Sequence, residues 1–196
     1  MAKIKPGKNL SKKDIITAKA AALFRTRGFN AASMRELAEA VGVEASSLYN
    51  HIGSKSELLQ TICFKVANEF TAQLTDTENK TCNIVNKIEL VIRFHINMML
   101  DEFDEVFVAN HEWKHLHEPF LSNFLNQRRS YEKRLVALIE EGIRKRELKN
   151  INPYVAVLTL LSGVRGLEFW QRHKKNISTK VLQDDMVTHL LKGMAK

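Results

Sequence analysis

Glycine and proline are scarce in this 196-residue chain, with only 8 and 3 of them. An all-β sandwich needs turn residues at short, regular intervals, so this scarcity argues against that class. Two cysteines, Cys63 and Cys82, are too few for a disulfide framework, and we expect reduced thiols in a cytoplasmic protein. The longest nearly apolar run, residues 155–164, is far shorter than the roughly 20 residues that cross a bilayer. The lysine-rich N-terminal segment also lacks the apolar core of a signal peptide.

Familiar catalytic signatures are missing as well. The sequence has no P-loop, no Rossmann glycine pattern and no nucleophile elbow. One short match needs weighing, because residues 111–115 read His-Glu-Trp-Lys-His, the H-E-x-x-H pattern that can bind zinc on a helix. No further histidine of the longer zinc motif follows, and Pro119 comes soon after. We therefore expect no enzyme, no cofactor and no metal site, with an effector metal on His111, His115 and His117 as the alternative.

Positive charge is concentrated in the first third of the chain. Residues 1–60 carry ten Lys/Arg and five Asp/Glu, whereas residues 61–196 carry twenty and seventeen, within a formal net charge of +8. Five lysines precede any acidic residue: Lys3, Lys5, Lys8, Lys12 and Lys13. Both a solvated tail and a basic arm beside a DNA-binding unit fit this pattern.

Helical signals run through the whole chain and predict an all-α protein of about nine helices. Capping-box patterns start helices at Ser11, Ser33 and Ser54, and Gly28 and Gly42 end the first two. A short third helix is expected at residues 44–51. This arrangement matches a helix-turn-helix. Its expected core consists of Leu23, Phe24, Phe29, Leu37, Ala38, Val41 and Leu48.

Longer helices are expected beyond this unit. They are placed at residues 54–74, 83–103, 119–146, 153–173 and 178–193, with a loop at 76–81 and a less regular stretch at 104–118. Asn152 and Pro153 form a helix start, with Asn as N-cap and Pro at the first position. We divide the chain into a helix-turn-helix domain, 1–55, with a basic arm at 1–10, and a helical effector-binding and dimerisation domain, 56–196.

A pattern of about twenty positions spans residues 15–59 and includes these runs: Ala21-Ala22-Leu23-Phe24, Gly28-Phe29, Ala31-Ala32-Ser33-Met34-Arg35-Glu36-Leu37-Ala38, Val41-Gly42-Val43, Ser47-Leu48-Tyr49-Asn50-His51-Ile52 and Ser54-Lys55-Ser56-Glu57-Leu58-Leu59. The pattern resembles the DNA-binding domain of the TetR/AcrR family of bacterial regulators. It departs from the family at Ile52, where Phe is more usual, and at Ala45-Ser46. These departures leave the base preference open.

The second helix of a helix-turn-helix lies in the major groove. Outward-facing Ala45, Ser46, Ser47 and Asn50 are expected at base edges, because Asn can bind adenine and small side chains permit close approach. The resemblance implies that Arg35 reads guanine and that Ser33, Tyr49, His51 and Lys55 hold phosphates, Lys55 at a helix N-terminus. The predicted interface is Ser33, Arg35, Glu44, Ala45, Ser46, Ser47, Tyr49, Asn50, His51 and Lys55.

The resemblance also implies that the remaining helices bind a small ligand and pair two subunits. Residues 112–116, 127–131, 141–143 and 161–170 look like the FadR/KstR-like, acyl-CoA-responsive branch of the family. Candidate ligand-binding residues combine apolar bulk with few polar groups: His95, Met98, Met99, Phe103, Phe107, Trp113, Arg128, Tyr131 and Trp170. The alternatives are a plain hydrophobic core and, for Arg128, a surface arginine pair.

The last two helices match the family's dimer helices. The predicted interface residues are Leu160, Gly163, Gly166, Leu167, Leu190 and Leu191, and two glycines within a helix suggest a packing reason. A dimer reads palindromic half-sites about 34–36 Å apart or a multiple of that. The sequence thus predicts a homodimeric repressor that an apolar effector, an acyl-CoA or fatty acid, releases from its DNA operator. A ligand-independent architectural DNA binder is the alternative, but it leaves about 135 residues without a role.

Overall fold

The computed structural model describes residues 11–172 and 177–195. Within those residues the chain forms ten α-helices and one short 3-10 helix, and the only strand-like pairing is an isolated bridge between Leu148 and Ala195. The all-α class is confirmed. In chain order the helices are α1 (Lys12–Arg27), α2 (Met34–Val41), α3 (Ala45–Tyr49), α4 (Lys55–Glu78), α5 (Ile84–Asp101), α6 (Phe103–His111), η1, the 3-10 helix (Trp113–His115), α7 (Phe120–Arg144), α8 (Pro153–Arg165), α9 (Leu167–Arg172) and α10 (Thr179–Lys192).

The chain divides into two compact units. Among the described residues, the first unit contains 11–68 and 102–126, and the second contains 69–101, 127–172 and 177–195. The first unit therefore holds α1 to α3 and also α6 and η1. The predicted boundary at residue 55 separates a DNA-binding function from an effector-binding function. The compact units follow packing and do not test that separation, so the boundary stays a prediction.

Local capping fixes the start of the first helices. The Ser11 and Ser33 hydroxyls accept the backbone N–H three residues on, and Asp14 and Glu36 accept the N–H of each cap, so both capping boxes are confirmed. The third differs in its return bond. Ser54 Oγ accepts from the Glu57 N–H, but the Glu57 carboxylate accepts from the N–H of Gly53. Most of the expected core is buried, whereas Leu23 and Val41 are only partly buried.

The stretch at 104–118, expected to be less regular, is mostly helical, and this prediction was wrong. The expected helix at 83–103 ends at Asp101, and α6 follows after one residue. Three apolar residues of α6 are buried: Val106, Val108 and Ala109. Asp104 forms an ion pair with Arg25 of α1, so packing on α1 stabilises this helix.

Helix α4 runs four residues past its expected end and covers half of the predicted loop at 76–81. Its polar C-terminal turn is held by side-chain contacts. Thr77 is 1% exposed and accepts a hydrogen bond from Gln73 Nε2 at 2.8 Å. Arg134 of α7 binds both carboxylate oxygens of Glu78. Polar residues with partners extend this helix, where polarity alone predicted a loop.

The helix expected at 153–173 is interrupted at Gly166. Asn152 Oδ1 caps α8 as predicted, but α8 ends at Arg165 and α9 begins at Leu167. A Cβ atom at Gly166 would lie 3.1 Å from the carbonyl oxygen of Gly163, so the absence of a side chain permits this close turn. His173, the expected helix end, lies outside the described residues. Within the part of the chain that the structure describes, no helix has both the length and the apolar character needed to cross a membrane.

Candidate nucleic-acid interface

Helices α2 and α3 form the predicted helix-turn-helix. Gly42 takes a left-handed conformation, with φ of 78°, and its N–H donates to the carbonyl of Ala38, which closes α2. Helix α3 then runs over five residues, shorter than the expected 44–51, with Glu44 as N-cap and Asn50 as C-cap. Leu48 is fully buried and anchors α3 in the first unit. The remaining positions of α3 are left to face outward.

Most of the predicted base-contacting and phosphate-contacting residues are at the surface. Tyr49 is 53% exposed and the Arg35 side chain is 87% exposed. The Arg35 side chain forms an ion pair with the carboxylate of Glu39, at 3.4 Å on the same helix face. Other exposed members of the predicted set are Ser33, Glu44, Ala45, Ser46, Asn50 and His51, while Ser47 is partly buried. Long and small polar side chains are thus available to a DNA duplex.

Ser33 has a structural task at the start of α2. Its Oγ accepts the Glu36 N–H at 3.1 Å, and the Glu36 carboxylate accepts the Ser33 N–H at 2.8 Å and a bond from Arg27 at 3.0 Å. These bonds, that of the Ser33 backbone first, lower the pKa of Glu36 to about 2. The Ser33 hydroxyl keeps its proton for a phosphate oxygen, so the predicted contact is compatible with the cap.

Lys55 makes internal contacts that the sequence did not predict. Its Nζ donates to the carbonyl oxygens of Asn30 at 3.2 Å and Ala32 at 2.8 Å, and it lies 4.6 Å from the centre of the Phe29 ring. An ammonium has three protons, so one remains for a phosphate. The phosphate contact stays a prediction, and the structure adds that Lys55 binds the turn between α1 and α2.

The H-E-x-x-H segment contacts the same turn. Glu112 Oε2 accepts the N–H of Phe29 at 3.1 Å, and the His115 ring stacks on the Phe29 ring with centroids 5.3 Å apart. His111 ends α6 whereas His115 lies in η1, so the two imidazoles belong to different helices. Among the described residues there is no group of three or more His, Cys, Asp or Glu side chains that could hold a metal ion.

Two of the predicted ligand-binding residues meet in the second unit. His95 Nε2 and Tyr131 Oη share a hydrogen bond of 2.7 Å, and the ring of Phe70 lies 4.4 Å from that of His95. Burial, aided by the positive charge of Arg165, lowers the pKa of His95 to about 3, so its imidazole is neutral. Met98 and Met99, on the same helix, are buried. The result is a neutral polar pair in aromatic and apolar surroundings.

The other predicted ligand-binding residues are not all brought to this pair. Phe103, Phe107 and Trp113 belong to the first unit, where the Phe103 and Phe107 ring centroids are 6.1 Å apart. Arg128 and Trp170 belong to the second unit and are partly buried. The Trp170 Nε1 atom is buried and has no hydrogen-bond acceptor among the described residues. A groove of about 580 Å³ beside the α4–α5 loop contains none of the nine predicted ligand-binding residues.

Three of the residues predicted for a dimer interface lie inside the chain's own core. Leu160, Leu167 and Leu191 are 3%, 3% and 8% exposed, so they do not offer apolar area to a partner as expected. The packing reason for Gly163 is internal too, since a Cβ there would lie 3.0 Å from a methyl group of Leu190. Gly166 is exposed at the α8–α9 break.

Exposed apolar side chains lie elsewhere on the last helices. Tyr154, Val155 and Leu158 of α8 are 68%, 56% and 65% exposed, and Val181 of α10 is 50% exposed. The residues of α8 occupy one helical face, opposite buried Ala156, Val157, Leu160 and Val164. We call Tyr154, Val155, Leu158 and Val181 the exposed apolar face. The composition of the helix suggested an interface, but the register of its two faces was visible only in the packed structure.

Two family profiles match this chain. The profile described as bacterial regulatory proteins, tetR family, matches residues 16–62, and the one described as tetracyclin repressor-like, C-terminal domain, matches residues 81–194, more than half of the chain. The HTH-type transcriptional repressor KstR2 of Mycobacterium tuberculosis is 24% identical over 127 residues, which are 64% of each protein. KstR2 of Mycolicibacterium smegmatis is 21% identical over 144 residues, 73% of this chain and 70% of that protein.

Solved structures share the fold over nearly the whole chain. The ketosteroid transcriptional regulator KstR2 of Mycobacterium tuberculosis superposes with a TM-score of 0.88 at 19% identity, covering 99% of this chain and 100% of the other. AibR, solved in complex with isovaleryl coenzyme A and operator DNA, gives a TM-score of 0.80 at 23% identity, covering 92% and 98%. At such identities the similarity establishes the fold.

Proposed function

The chain belongs to the TetR family of bacterial regulatory proteins, and on that basis we propose that it is a homodimeric repressor that a small effector releases from DNA. The observation that carries the proposal is the outward face of α3. Leu48 anchors this helix while Ala45, Ser46, Tyr49 and Asn50 remain exposed. A short, exposed helix after a tight turn is the shape that enters a major groove.

In the proposed complex, α3 reads bases while residues around it hold the DNA backbone. Asn50 and the small side chains of Ala45 and Ser46 meet base edges. Arg35 is assigned to guanine, and its exposed guanidinium, in a surface ion pair with Glu39, is available for that contact. Tyr49, His51 and Ser33 hold phosphates. The distribution of charge along the chain supports this assignment, since positive charge is concentrated in the first 60 residues.

Two subunits would pair through the exposed apolar face of α8 and α10. Four large or branched apolar side chains, each half or more exposed, lie on these two helices, which pack on each other within the second unit. Exposed apolar clusters of this kind mark interaction surfaces. A two-fold dimer doubles the number of bases read and matches a palindromic operator.

The effector is proposed to bind beside the His95–Tyr131 pair. A neutral imidazole and a phenol can hydrogen-bond a carbonyl oxygen, and the surrounding rings and methionines suit an alkyl chain. The burial that keeps His95 neutral disfavours an ionic partner for its ring. An acyl-CoA fits these conditions, because its thioester carbonyl is neutral, and a fatty acid fits them if its carboxylate lies away from the His95 ring. The fold is shared with a protein solved with isovaleryl coenzyme A.

Effector and operator would act by favouring different states of the same dimer. The coupling is then reciprocal: operator DNA weakens effector binding by the factor by which effector weakens operator binding. Equal effector affinity with and without operator would contradict this mechanism, even if both ligands bind.

The experiment begins with selection of an operator from random duplexes by the full chain. Affinity for the selected duplex is then measured alone, with isovaleryl coenzyme A and with coenzyme A lacking an acyl group. We expect a palindromic site and a loss of affinity with the acyl form alone. A strong site that neither compound affects would retain the repressor and reject the acyl effector, whereas binding without sequence preference would favour the architectural alternative.

A further inference from the structure

Two side chains just after α6, Glu112 and His115 of η1, hold the turn between α1 and α2. The Glu112 carboxylate accepts the Phe29 N–H, at 3.1 Å from Oε2 to N. The His115 ring stacks on the Phe29 ring at 5.3 Å with an interplanar angle of 23°. Glu112 and His115 also face each other, with 3.4 Å between Oε2 and Nε2. We call these two residues the Phe29 clamp.

The contacts of the clamp are partly buried. The side chains of Glu112 and His115 are 14% and 25% exposed, and Phe29 is 7% exposed. A hydrogen bond between a backbone N–H and a carboxylate is of the charge-assisted kind, and it is strengthened where water is excluded. The Phe24 ring also packs edge-to-face with the Phe29 ring, with centroids 5.3 Å apart. The clamp therefore fixes both the backbone and the ring of one residue.

Phe29 is placed where the course of the chain is decided. It follows Gly28, whose φ of 78° lets the chain leave α1, and it precedes Ser33, the N-cap of α2. Lys55 holds the carbonyl groups of Asn30 and Ala32 in the same turn. Any displacement of the turn would move the start of α2, and with it the predicted DNA-contacting residues Ser33 and Arg35.

We infer that Glu112 and His115 are positioning residues for DNA binding, which act through Phe29 to place the N-terminus of α2. The inference rests on the proposed function and adds two residues, of which Glu112 lies 83 positions beyond Phe29, to the set that determines operator affinity. It also gives the H-E-x-x-H segment a task, because its glutamate and its second histidine are the two residues that contact Phe29.

The clamp is tested with paired variants of the full chain: Glu112→Ala with Glu112→Gln, and His115→Ala with His115→Phe. Glutamine retains an oxygen that can accept the Phe29 N–H, and phenylalanine retains a ring that can stack. Lys114→Ala is the matched control, since this lysine is an exposed neighbour in η1. The measurements are operator affinity, hydrogen exchange of the Phe29 amide without DNA, and the unfolding temperature.

We expect Glu112→Ala to weaken operator binding about tenfold, or about 1.4 kcal/mol, at a temperature where every variant is folded. Exchange at the Phe29 amide should accelerate about tenfold or more, because its acceptor is gone. Glu112→Gln should restore both quantities to within about threefold of the unmodified chain. His115→Phe should bind more tightly than His115→Ala, and Lys114→Ala should match the unmodified chain.

Two results would overturn the clamp. One is operator affinity in folded Glu112→Ala and His115→Ala equal to that of the unmodified chain. The other is faster exchange at Phe29 with unchanged affinity, which would make the contact structural only. If Glu112→Ala fails to fold, the His115→Ala and His115→Phe pair decides the question. If the unmodified chain selects no operator, the proposed function itself fails and the positioning role falls with it.

Discussion

The Nζ atom of Lys55 lies 4.6 Å from the centre of the Phe29 ring. The same ammonium donates to two carbonyl groups of the turn that contains Phe29. A residue predicted as a phosphate contact is thus also part of the internal structure of the first unit, and the two tasks can be separated by experiment.

Replacing Lys55 by Met should lower the free energy of unfolding by about 1–3 kcal/mol, because two hydrogen bonds and a cation–π contact are lost. Operator affinity should fall for all duplexes alike, with a shallower dependence on salt, by about one unit of slope. Denaturant unfolding and salt titrations measure the two effects. Lys80→Met, in the exposed loop after α4, controls for the loss of charge. Unchanged stability with a shallower salt dependence would mean that Lys55 contacts phosphate but does not stabilise the fold.

Arg35→Ala should reduce affinity for the selected operator by about 1–3 kcal/mol, roughly 5- to 150-fold, and relax the preference at one base pair. Stability should hardly change, because the side chain is 87% exposed and its ion pair with Glu39 is at the surface. Binding to duplexes substituted at each position provides the measurement. Glu39→Ala is the control, and a loss confined to non-specific binding in Arg35→Ala would contradict base readout.

Leu158→Asp should convert the proposed dimer to monomers and abolish tight operator binding, because a charge would be placed on the exposed apolar face. Leu160→Ala, two residues on, should instead cost about 2–5 kcal/mol of stability through a cavity in the core, since Leu160 is 3% exposed. Analytical ultracentrifugation and thermal unfolding distinguish them. A dimer that survives Leu158→Asp would move the interface away from α8.

Acid should destabilise the chain through His95. Its pKa is lowered to about 3 in the folded state, whereas an unfolded histidine titrates near 6.5, so the unfolded chain binds the extra proton between those values. Stability is therefore complete above about pH 6.5 and falls as the pH drops below it, by about 1–2 kcal/mol at pH 5. His95→Phe should show a smaller loss between pH 7 and pH 5 in denaturant unfolding. Parallel curves for both proteins would contradict a buried, neutral His95.

Features determined by neighbouring residues were predictable from the sequence. The capping boxes at Ser11 and Ser33 and the helix start at Asn152 depend on bonds within three or four positions, and all three formed as predicted. Gly28 and Gly42 ended their helices for the same reason, since both have φ of 78°. The helix-turn-helix follows from these local rules. The function of the remaining helices was predicted from the resemblance to the family.

Features that depend on distant partners were not predictable. Helix α6 is stabilised by packing on α1, including the Arg25–Asp104 ion pair, 79 positions apart. Leu158 and Leu160 are leucines of the same helix, so composition does not distinguish them. Only the packing of α8 with α5 and α10 determines that Leu160 is buried and Leu158 is exposed. Glu112 and Lys55 were assigned by motif, whereas their observed partners are backbone groups that no motif records.

The bond from Glu112 to the Phe29 N–H has a consequence for how this sequence can drift in evolution. The Glu112 carboxylate binds the backbone N–H of residue 29 and not its side chain. Any residue except proline could therefore replace Phe29 without ending the bond. The stacked ring of His115 and the ammonium of Lys55, in contrast, recognise the aromatic ring itself. Positions 29 and 115 should therefore change together across descendants of this sequence, while position 112 should stay acidic or amide regardless of them. Position 55 depends less on the ring, because its ammonium also binds two backbone carbonyls.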